Sequence, residues 1–228
     1  MLENPERGAW IQGTDAATAR ALATSLDWIA IDQQHGRADD RAMLELLAAT
    51  AGLCPRYVRV RSLDAGLIGR ALDGGADGVI VPQVSSAAEA RAAVEASHYP
   101  PRGNRSWGPM VEHSPDVVVG VMIENTAGLA DLAEIAASGA DLIFVGPYDL
   151  SLSMGTTVDA LLDEQTTLVT IRDAAIAAGV AIGAFAGTPA RAARFAALGY
   201  QQIAVITDGR LIADAAAQLG AETSALFG

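Results

Sequence analysis

Residues 139–151 read Gly-Ala-Asp-Leu-Ile-Phe-Val-Gly-Pro-Tyr-Asp-Leu-Ser. The four apolar residues 142–145 predict a short strand that is buried on both faces, as in a parallel sheet covered by helices. A Gly-Pro turn bearing Asp149 follows the strand at once. The lead-in Gly-Ala-Asp recurs at residues 75–77, again before an apolar run. The pattern therefore indicates a repeated structural unit in which each strand follows a tight connection.

The same alternation of short apolar runs and longer amphipathic segments extends along all 228 residues. Eight strands are predicted, at Ala9–Gln12, Trp28–Asp32, Tyr57–Arg61, Gly78–Pro82, Val118–Glu124, Leu142–Gly146, Ala181–Phe185 and Gln202–Ile206. A helix is predicted after each strand, at Asp15–Thr24, Arg37–Ala51, Ala65–Gly74, Ala87–Ser97, Ala127–Ser138, Leu161–Ala178, Pro189–Leu198 and Gly209–Leu219. Eight such units favour an α/β fold, a single-domain (β/α)8 TIM barrel over residues 1–228. The alternative is a doubly wound open sheet, but no GxGxxG turn follows the first strand, which weakens its dinucleotide-binding form.

Composition excludes several classes of function. The net charge of −12 disfavours nucleic acid and anionic membrane surfaces as partners. All 15 basic side chains are arginine, and the absence of lysine excludes Schiff-base and pyridoxal chemistry. The single cysteine, Cys54, cannot form an internal disulfide, and residues 1–8 lack the apolar run of a signal peptide, so a cytoplasmic location is expected. His98 and His113 are expected at solvent or at an interface and not as ligands.

Two carboxylates follow neighbouring predicted strands. Glu124 ends the fifth strand and Asp149 follows the sixth, on the face where barrel enzymes carry their chemistry. Adjacent strands lie about 5 Å apart, which lets both carboxylates share one hard divalent cation such as Mg²⁺ or Mn²⁺. Waters and a bidentate keto acid would complete its shell. The alternative is that Glu124 caps a helix and Asp149 shapes a turn, although two such carboxylates without a cation would repel each other.

Polar residues also end the second and third strands. Asp32 lies three residues before His35, a spacing at which a carboxylate can orient an imidazole and raise its basicity. The alternative is a capping aspartate and a surface histidine. Arg59 lies near the end of the third predicted strand, and an arginine inside a barrel is costly unless it meets an anion, either a substrate oxygen or a structural partner. The turn at residues 146–149 adds main-chain N–H groups that can hold a small carboxylate.

Five strings of the sequence, in this order, resemble the HpcH/HpaI aldolase family. They are Ile31-Asp32-x-x-His35-Gly36, Val81-Pro82-x-Val84, Tyr99-Pro100-Pro101-x-Gly103-x-Arg105, Ile123-Glu124 and Phe144-Val145-Gly146-Pro147-x-Asp149-Leu150-Ser151. The similarity runs from Gly8 to Asp208. It implies a metal-dependent pyruvate aldolase, a carbon–carbon lyase that reversibly cleaves a 4-hydroxy-2-oxo acid to pyruvate and an aldehyde.

The resemblance implies a role for each candidate residue. Glu124 and Asp149 would bind the metal, Mg²⁺ or Mn²⁺, with Co²⁺ as a further option. His35, held by Asp32, would be the acid and base that acts with a metal-bound water. The substrate-binding positions would be Trp10 near the pocket, Arg59 on the enolate, and Gly146, Pro147 and Tyr148, whose turn holds the substrate carboxylate. A homo-oligomer, a trimer or a hexamer, is also expected.

The sequence departs from the family pattern in two regions. Gln34 stands where the family has Glu before the histidine, so the hydrogen bonding is kept and the charge is lost. Arg105-Ser106 replaces Arg-Gly, and residues 105–124 form a shorter segment than is usual in the family. In the family this region covers the site and contacts neighbouring subunits. Two alternatives therefore stay open: a citrate- or CoA-thioester-type lyase or synthase of the same superfamily, and a weakly catalytic barrel that binds a keto acid.

Overall fold

The computed structural model describes residues 4–111 and 116–227. Eight parallel strands pair in chain order and close into a barrel, which confirms the (β/α)8 prediction and makes the open sheet wrong. The strands are β1 (Glu6–Ile11), β2 (Trp28–Asp32), β3 (Arg56–Arg59), β4 (Gly78–Val81), β5 (Val118–Ile123), β6 (Leu142–Val145), β7 (Ala181–Phe185) and β8 (Gln202–Thr207). None of the helices in the described residues has the length and apolarity needed to cross a membrane.

The helices cover the outside of the barrel. They are α1 (Ala16–Ser25), α2 (Asp40–Ala49), α3 (Ala65–Asp73), α4 (Ala87–Ser97), α5 (Thr126–Ala130), α6 (Leu132–Ala136), α7 (Pro147–Ser153), α8 (Val158–Glu164), α9 (Thr166–Ala178), α10 (Pro189–Ala197) and α11 (Asp208–Phe227). Side-chain caps start many of them, as in α4, where the Ser86 hydroxyl accepts the N–H of Glu89 at 3.3 Å.

Three predicted segments between β5 and β7 differ from the structure. The helix predicted over residues 127–138 is two short helices that meet at Asp131, whose carboxylate accepts the N–H of Ala87 at 2.7 Å. The helix predicted over residues 161–178 starts earlier and is interrupted at Gln165, which has a left-handed φ of 63°. The turn after Gly146 is the start of α7, because a proline fits the first position of a helix without losing a hydrogen bond.

Aromatic side chains fill the lumen of the barrel. The ring centroid of Trp10 lies 5.3 Å from that of Phe144, 5.6 Å from that of Phe185 and 6.5 Å from that of Trp28. Trp28 in turn lies 5.8 Å from Tyr57. The lumen is therefore a packed apolar plug, separate from the larger apolar layer between the sheet and the helices.

Strand alternation carries the polar residues to the rim above this plug. Alternate residues of a strand face the same side, and the inward set includes Trp10, Ala30, Tyr57 and Met122. The positions two residues further along are Gln12, Asp32, Arg59 and Glu124. All four therefore emerge at the C-terminal end of the barrel, directly above the aromatic rings.

Gly8 lies beside Trp28 in the β1–β2 pairing, and a Cβ added there would overlap the indole ring. We expect Gly8→Ala to lower the free energy of unfolding by about 1–3 kcal/mol, because the plug has no room for the shifted ring. Urea unfolding followed by circular dichroism measures this change. The control is Gly69→Ala in α3, where nothing lies within 4 Å. It should stabilise the protein by about 0.5–1 kcal/mol as a helix-interior glycine replacement, and equal losses in both variants would contradict the account.

Candidate active site

A cavity of about 180 Å³ opens at the C-terminal end of the barrel. Its lining residues are Trp10, Gln12, His35, Arg59, Met122, Glu124, Gly146, Pro147, Tyr148, Asp149 and Phe185. The structure thus brings every predicted site residue to one cavity except Asp32, which is fully buried behind Arg59.

Asp32 and Arg59 form a buried ion pair. The Nε of Arg59 donates to Oδ1 of Asp32 at 2.9 Å, and its Nη2 donates to Oδ2 at 2.7 Å. The same carboxylate accepts the main-chain N–H groups of Gln34 at 3.0 Å and of His35 at 3.2 Å. Asp32 therefore holds the main chain of the His35 loop, and its charge is directed at the guanidinium.

This pairing sets the protonation of Asp32. Burial by itself would raise the pKa of the Asp32 carboxyl, but the hydrogen bonds and the positive charge of Arg59 outweigh it, and the two main-chain donors add to them. The net pKa is lowered, so Asp32 stays ionised. Arg59 also lies over Trp10, with its guanidinium carbon 5.2 Å from the ring centroid. The orientation of Arg59 is fixed from two sides while it faces the cavity.

Glu124 is held by a main-chain donor on the neighbouring strand. The N–H of Gln83, just after β4, donates to Oε1 of Glu124 at 2.6 Å. Gln83 adopts a left-handed φ of 58°, which is uncommon for a residue with a side chain and costs roughly 1–3 kcal/mol. Gln83 was not predicted as a site residue. Its position inside the string Val81-Pro82-x-Val84 was the one feature of the sequence that could have indicated it.

The second oxygen of Glu124 has a different environment. Oε2 is buried and has no hydrogen-bond partner among the described residues. A Cβ added at Gly146 would overlap this oxygen and would lie 2.9 Å from Cβ of Glu124, so only glycine fits there. Burial raises the pKa of the Glu124 carboxyl, and the charge of Asp149 adds to this effect against the opposing Gln83 hydrogen bond. The site is therefore short of positive charge at this point.

These features fit a divalent cation. Two hard carboxylate donors, Glu124 and Asp149, line one cavity, and Oε2 of Glu124 is buried with no partner from the described parts of the chain. In the part of the chain that is described, no group of three or more His, Cys, Asp or Glu side chains is placed to hold a metal. The protein would therefore supply two ligands and leave the other positions to water and substrate.

His35 and the start of α7 complete the cavity. His35 is exposed at the mouth, on the loop whose main chain Asp32 holds. Tyr148 and Asp149 lie in the first turn of α7, where main-chain N–H groups have no acceptor within the helix. The cavity is also lined by Gln12, Met122 and Phe185, which were not predicted from the sequence. Met122 and Phe185 point into the barrel from their strands, and Gln12 follows the end of β1.

The cysteine Cys54 and the histidine His98 do not line this cavity. Cys54 is half-buried, and burial raises the pKa of its thiol. His98 is 3 % exposed, so the expectation of a solvent position is wrong: the following chain folds back on it, and Arg105 donates its N–H to the His98 carbonyl at 3.0 Å. His113 lies in residues 112–115, outside the described residues.

Comparison with known proteins shows the family of the chain. The profile of the HpcH/HpaI aldolase/citrate lyase family matches residues 7–215. The chain belongs to this family. A hydroxypyruvate/pyruvate aldolase of Rhizorhabdus wittichii is 34 % identical over 97 % of this chain and 95 % of its own. The chain is accordingly an aldolase, a carbon–carbon lyase.

Solved structures extend the comparison. An HpcH/HpaI aldolase/citrate lyase family protein from Burkholderia cenocepacia is 31 % identical, with a TM-score of 0.89 over 97 % of this chain and 95 % of its own. The citrate synthase SbnG is 26 % identical, with a TM-score of 0.85 over 99 % of this chain and 96 % of its own. Enzymes of the family generally depend on a divalent metal.

The Asp32–Arg59 pair should carry a measurable share of the stability. We expect Asp32→Asn to lower the free energy of unfolding by about 3–5 kcal/mol near neutral pH, because Arg59 stays buried without its counter-charge. Urea unfolding of both proteins gives the value. Glu45→Gln is the control, since it breaks the exposed Arg41–Glu45 pair and should leave the free energy of unfolding nearly unchanged.

The free energy of unfolding that Asp32→Asn loses should become smaller as the pH falls. The pKa of Asp32 lies below its ordinary value of 3.8, so the contribution of the pair is complete above that pH. It is lost as the pH falls through the lower pKa of the folded state. The difference between wild type and Asp32→Asn should therefore shrink in acid, and a difference that grew there would contradict this assignment.

Proposed function

We propose that this aldolase reversibly cleaves a 4-hydroxy-2-oxo acid to pyruvate and an aldehyde, with a divalent cation held by Glu124 and Asp149. The observation that carries the proposal is the buried Oε2 of Glu124, which has no hydrogen-bond partner among the residues described, in a cavity shared with Asp149, Arg59 and His35. The aldolase relative, whose name includes pyruvate, supports the substrate class. Mg²⁺ and Mn²⁺ are the proposed ions because both prefer carboxylate oxygens, and Co²⁺ is a further option.

Arg59 and the main chain at residues 146–149 bind the substrate in this proposal, and His35 transfers the proton. A bound divalent cation would supply the electrophile that polarises the keto group of the substrate. Arg59 uses Nε and Nη2 for Asp32, and the rest of its guanidinium faces the cavity, where it stabilises negative charge on the enolate oxygen. The main-chain N–H groups at residues 146–149 hold the substrate carboxylate, with Pro147 giving up one donor.

His35 is the proposed acid and base. It takes the proton of the C4 hydroxyl as the C3–C4 bond breaks, and the aldehyde leaves. The electrons of that bond form the pyruvate enolate, and the protonated His35 then returns the proton to C3, which gives pyruvate and restores the neutral imidazole. Asp32 acts on this step through the main chain of the His35 loop and through Arg59. Trp10 forms the apolar floor of the cavity and supports Arg59.

Two other functions remain less well supported. The likeness to a citrate synthase favours a citrate- or CoA-thioester-type reaction, but its identity of 26 % is lower than the 34 % of the aldolase relative. Assays with citrate and malyl-type thioesters beside hydroxy-keto acids separate the two. A barrel that only binds a keto acid had Gln34 as its support, and the aldolase relatives weigh against it. The cytoplasmic location and the trimer or hexamer stay predictions.

Removing either carboxylate should abolish metal-dependent turnover. We expect Glu124→Gln and Asp149→Asn to weaken Mn²⁺ binding by at least about tenfold, because each removes a charged oxygen ligand. Isothermal titration with Mn²⁺ measures binding, and pyruvate release measures cleavage. Glu134→Gln, an exposed acidic residue of α6, is the matched control and should keep both. Full activity of the wild type in excess EDTA would overturn the mechanism.

Replacing His35 should separate chemistry from binding. We expect His35→Ala to lower kcat for aldol cleavage by about 10²–10⁴-fold, the usual contribution of a positioned acid or base. Pyruvate binding, measured by titration in the presence of Mn²⁺, should change little because Arg59 and the α7 amides remain. An equal loss of binding and of turnover would count against a role in proton transfer.

A further inference from the structure

The carboxylate of Asp208 links β8 to β1 at the C-terminal end of the barrel. Its Oδ1 accepts the main-chain N–H of Gln12 at 3.0 Å, and its Oδ2 accepts that of Gly13 at 2.8 Å. Oδ1 also accepts the N–H of Gly209 at 2.8 Å. Asp208 is 6 % exposed, and a carboxylate this buried depends on the hydrogen bonds that it accepts. One side chain therefore joins the ends of the first and last strands.

This carboxylate is not the cap of α11, the helix that Asp208 begins. The cap is Thr207, whose hydroxyl accepts the N–H of Arg210 at 3.1 Å. The register of β1 and β8 shifts by one residue, so that Trp10 pairs with Thr207, and such a bulge redirects the side chains that follow it. Asp208 comes directly after this pair and extends across to the end of β1.

Gln12 connects this contact to the loop that carries His35. The main-chain carbonyl of Gln12 accepts the N–H of Arg37 at 2.8 Å. This carbonyl and the N–H of Gly13 belong to one peptide group, which therefore binds Asp208 on one side and the His35 loop on the other. The side chain of Gln12 lines the reaction cavity, the space of about 180 Å³ above the aromatic plug.

The His35 loop is held on both sides of the imidazole. Before it, Asp32 accepts the N–H of His35 at 3.2 Å, and after it the N–H of Arg37 is bound by Gln12. A Cβ added at Gly36 would overlap the main-chain oxygen of Asp32, so the loop lies directly against the end of β2. Because the imidazole itself is exposed, the main chain on either side of it sets its position.

We propose that Asp208 is a positioning residue for the reaction, which acts through the Gln12–Gly13 peptide to hold the His35 imidazole at the substrate. The inference rests on the proposed function, in which His35 is the acid and base. Asp208 does not line the reaction cavity, and the proposed metal ligands follow β5 and β6, away from β1 and β8. Its loss therefore slows proton transfer and leaves the binding of cation and keto acid intact.

Two substitutions break the contact from opposite sides. Asp208→Asn replaces one acceptor oxygen by an amide NH2 group. Gly13→Ala places a Cβ 2.8 Å from Oδ2 of Asp208 at a backbone without a left-handed φ, so it acts by contact alone and keeps the test valid if Asp208→Asn does not fold. We expect each to lower kcat for aldol cleavage by about 10²-fold, as a displaced catalytic group does, with Mn²⁺ and pyruvate binding unchanged by isothermal titration.

Asp141→Asn is the matched control. The Asp141 carboxylate also joins two neighbouring strands, because it accepts the N–H of Val119 at 2.9 Å, but it does so at the opposite end of the barrel. This variant should keep the wild-type kcat. An equal loss of kcat in Asp141→Asn and Asp208→Asn would overturn the inference, because it would show a general effect on the barrel.

A double-mutant cycle with His35→Ala separates positioning from general support. Groups that act as one unit are not additive, so Asp208→Asn should change the residual turnover of His35→Ala by less than about twofold. A fall by the same factor in both backgrounds would show that Asp208 acts independently of His35, and the positioning role would then be wrong.

Hydrogen exchange separates failure of this inference from failure of the proposed function. The amide of Arg37, followed by NMR, should exchange about tenfold faster in Asp208→Asn than in wild type, whatever the activity, because its acceptor is no longer held. Unchanged exchange at Arg37 overturns the link from Asp208 to the loop and leaves the proposed function standing. Full turnover of His35→Ala overturns the proposed acid and base, and the positioning role of Asp208 with it.

Discussion

The lumen of an eight-stranded barrel has room for only a few large side chains. Because aromatic rings fill it here, the charged side chains that line the reaction cavity lie at the C-terminal end of the barrel. Trp10, Trp28 and Phe144 take most of that space, so those charged side chains lie above their rings. Strand alternation then leaves one inward position per strand above the rings. The reaction cavity is the space over an apolar plug, and its polar residues stand on a floor that excludes water from below.

The two sides of the rim differ in net charge. On one side, Asp32 and Arg59 neutralise each other through a bidentate contact that burial strengthens. On the other side, Glu124 and Asp149 face the cavity, and within residues 4–111 and 116–227 neither forms an ion pair with a basic side chain; the direct donor described at Glu124 is the main-chain N–H of Gln83. A cation and a 2-oxo acid would together restore the balance. The affinity for one should therefore depend on the presence of the other.

The sequence was sufficient to predict the barrel and to predict that most of the candidate residues lie at one end of it, and the reasons are local. Apolar runs such as residues 142–145 identify strands directly, and the rim residues follow from alternation. The partner of Arg59 was undecidable because Asp32 is 27 positions away and a substrate anion satisfies the same need. The left-handed Gln83 and the break at Gln165 were also out of reach, since tertiary contacts and not local preference hold such backbone angles. The helix after Gly146 was missed because Gly-Pro is equally typical of a turn.

The tryptophans of the lumen give the protein an internal optical reporter. Trp10 forms the floor of the reaction cavity beneath the Arg59 guanidinium, and Trp28 is enclosed below it, both with 1 % of their surface accessible. Trp107 is 77 % exposed, so its emission is expected to be red-shifted, as for an indole in water. Selective quenching of Trp107 by an aqueous quencher would leave a blue-shifted signal from the barrel interior. That residual fluorescence would follow occupancy of the cavity in an unlabelled protein.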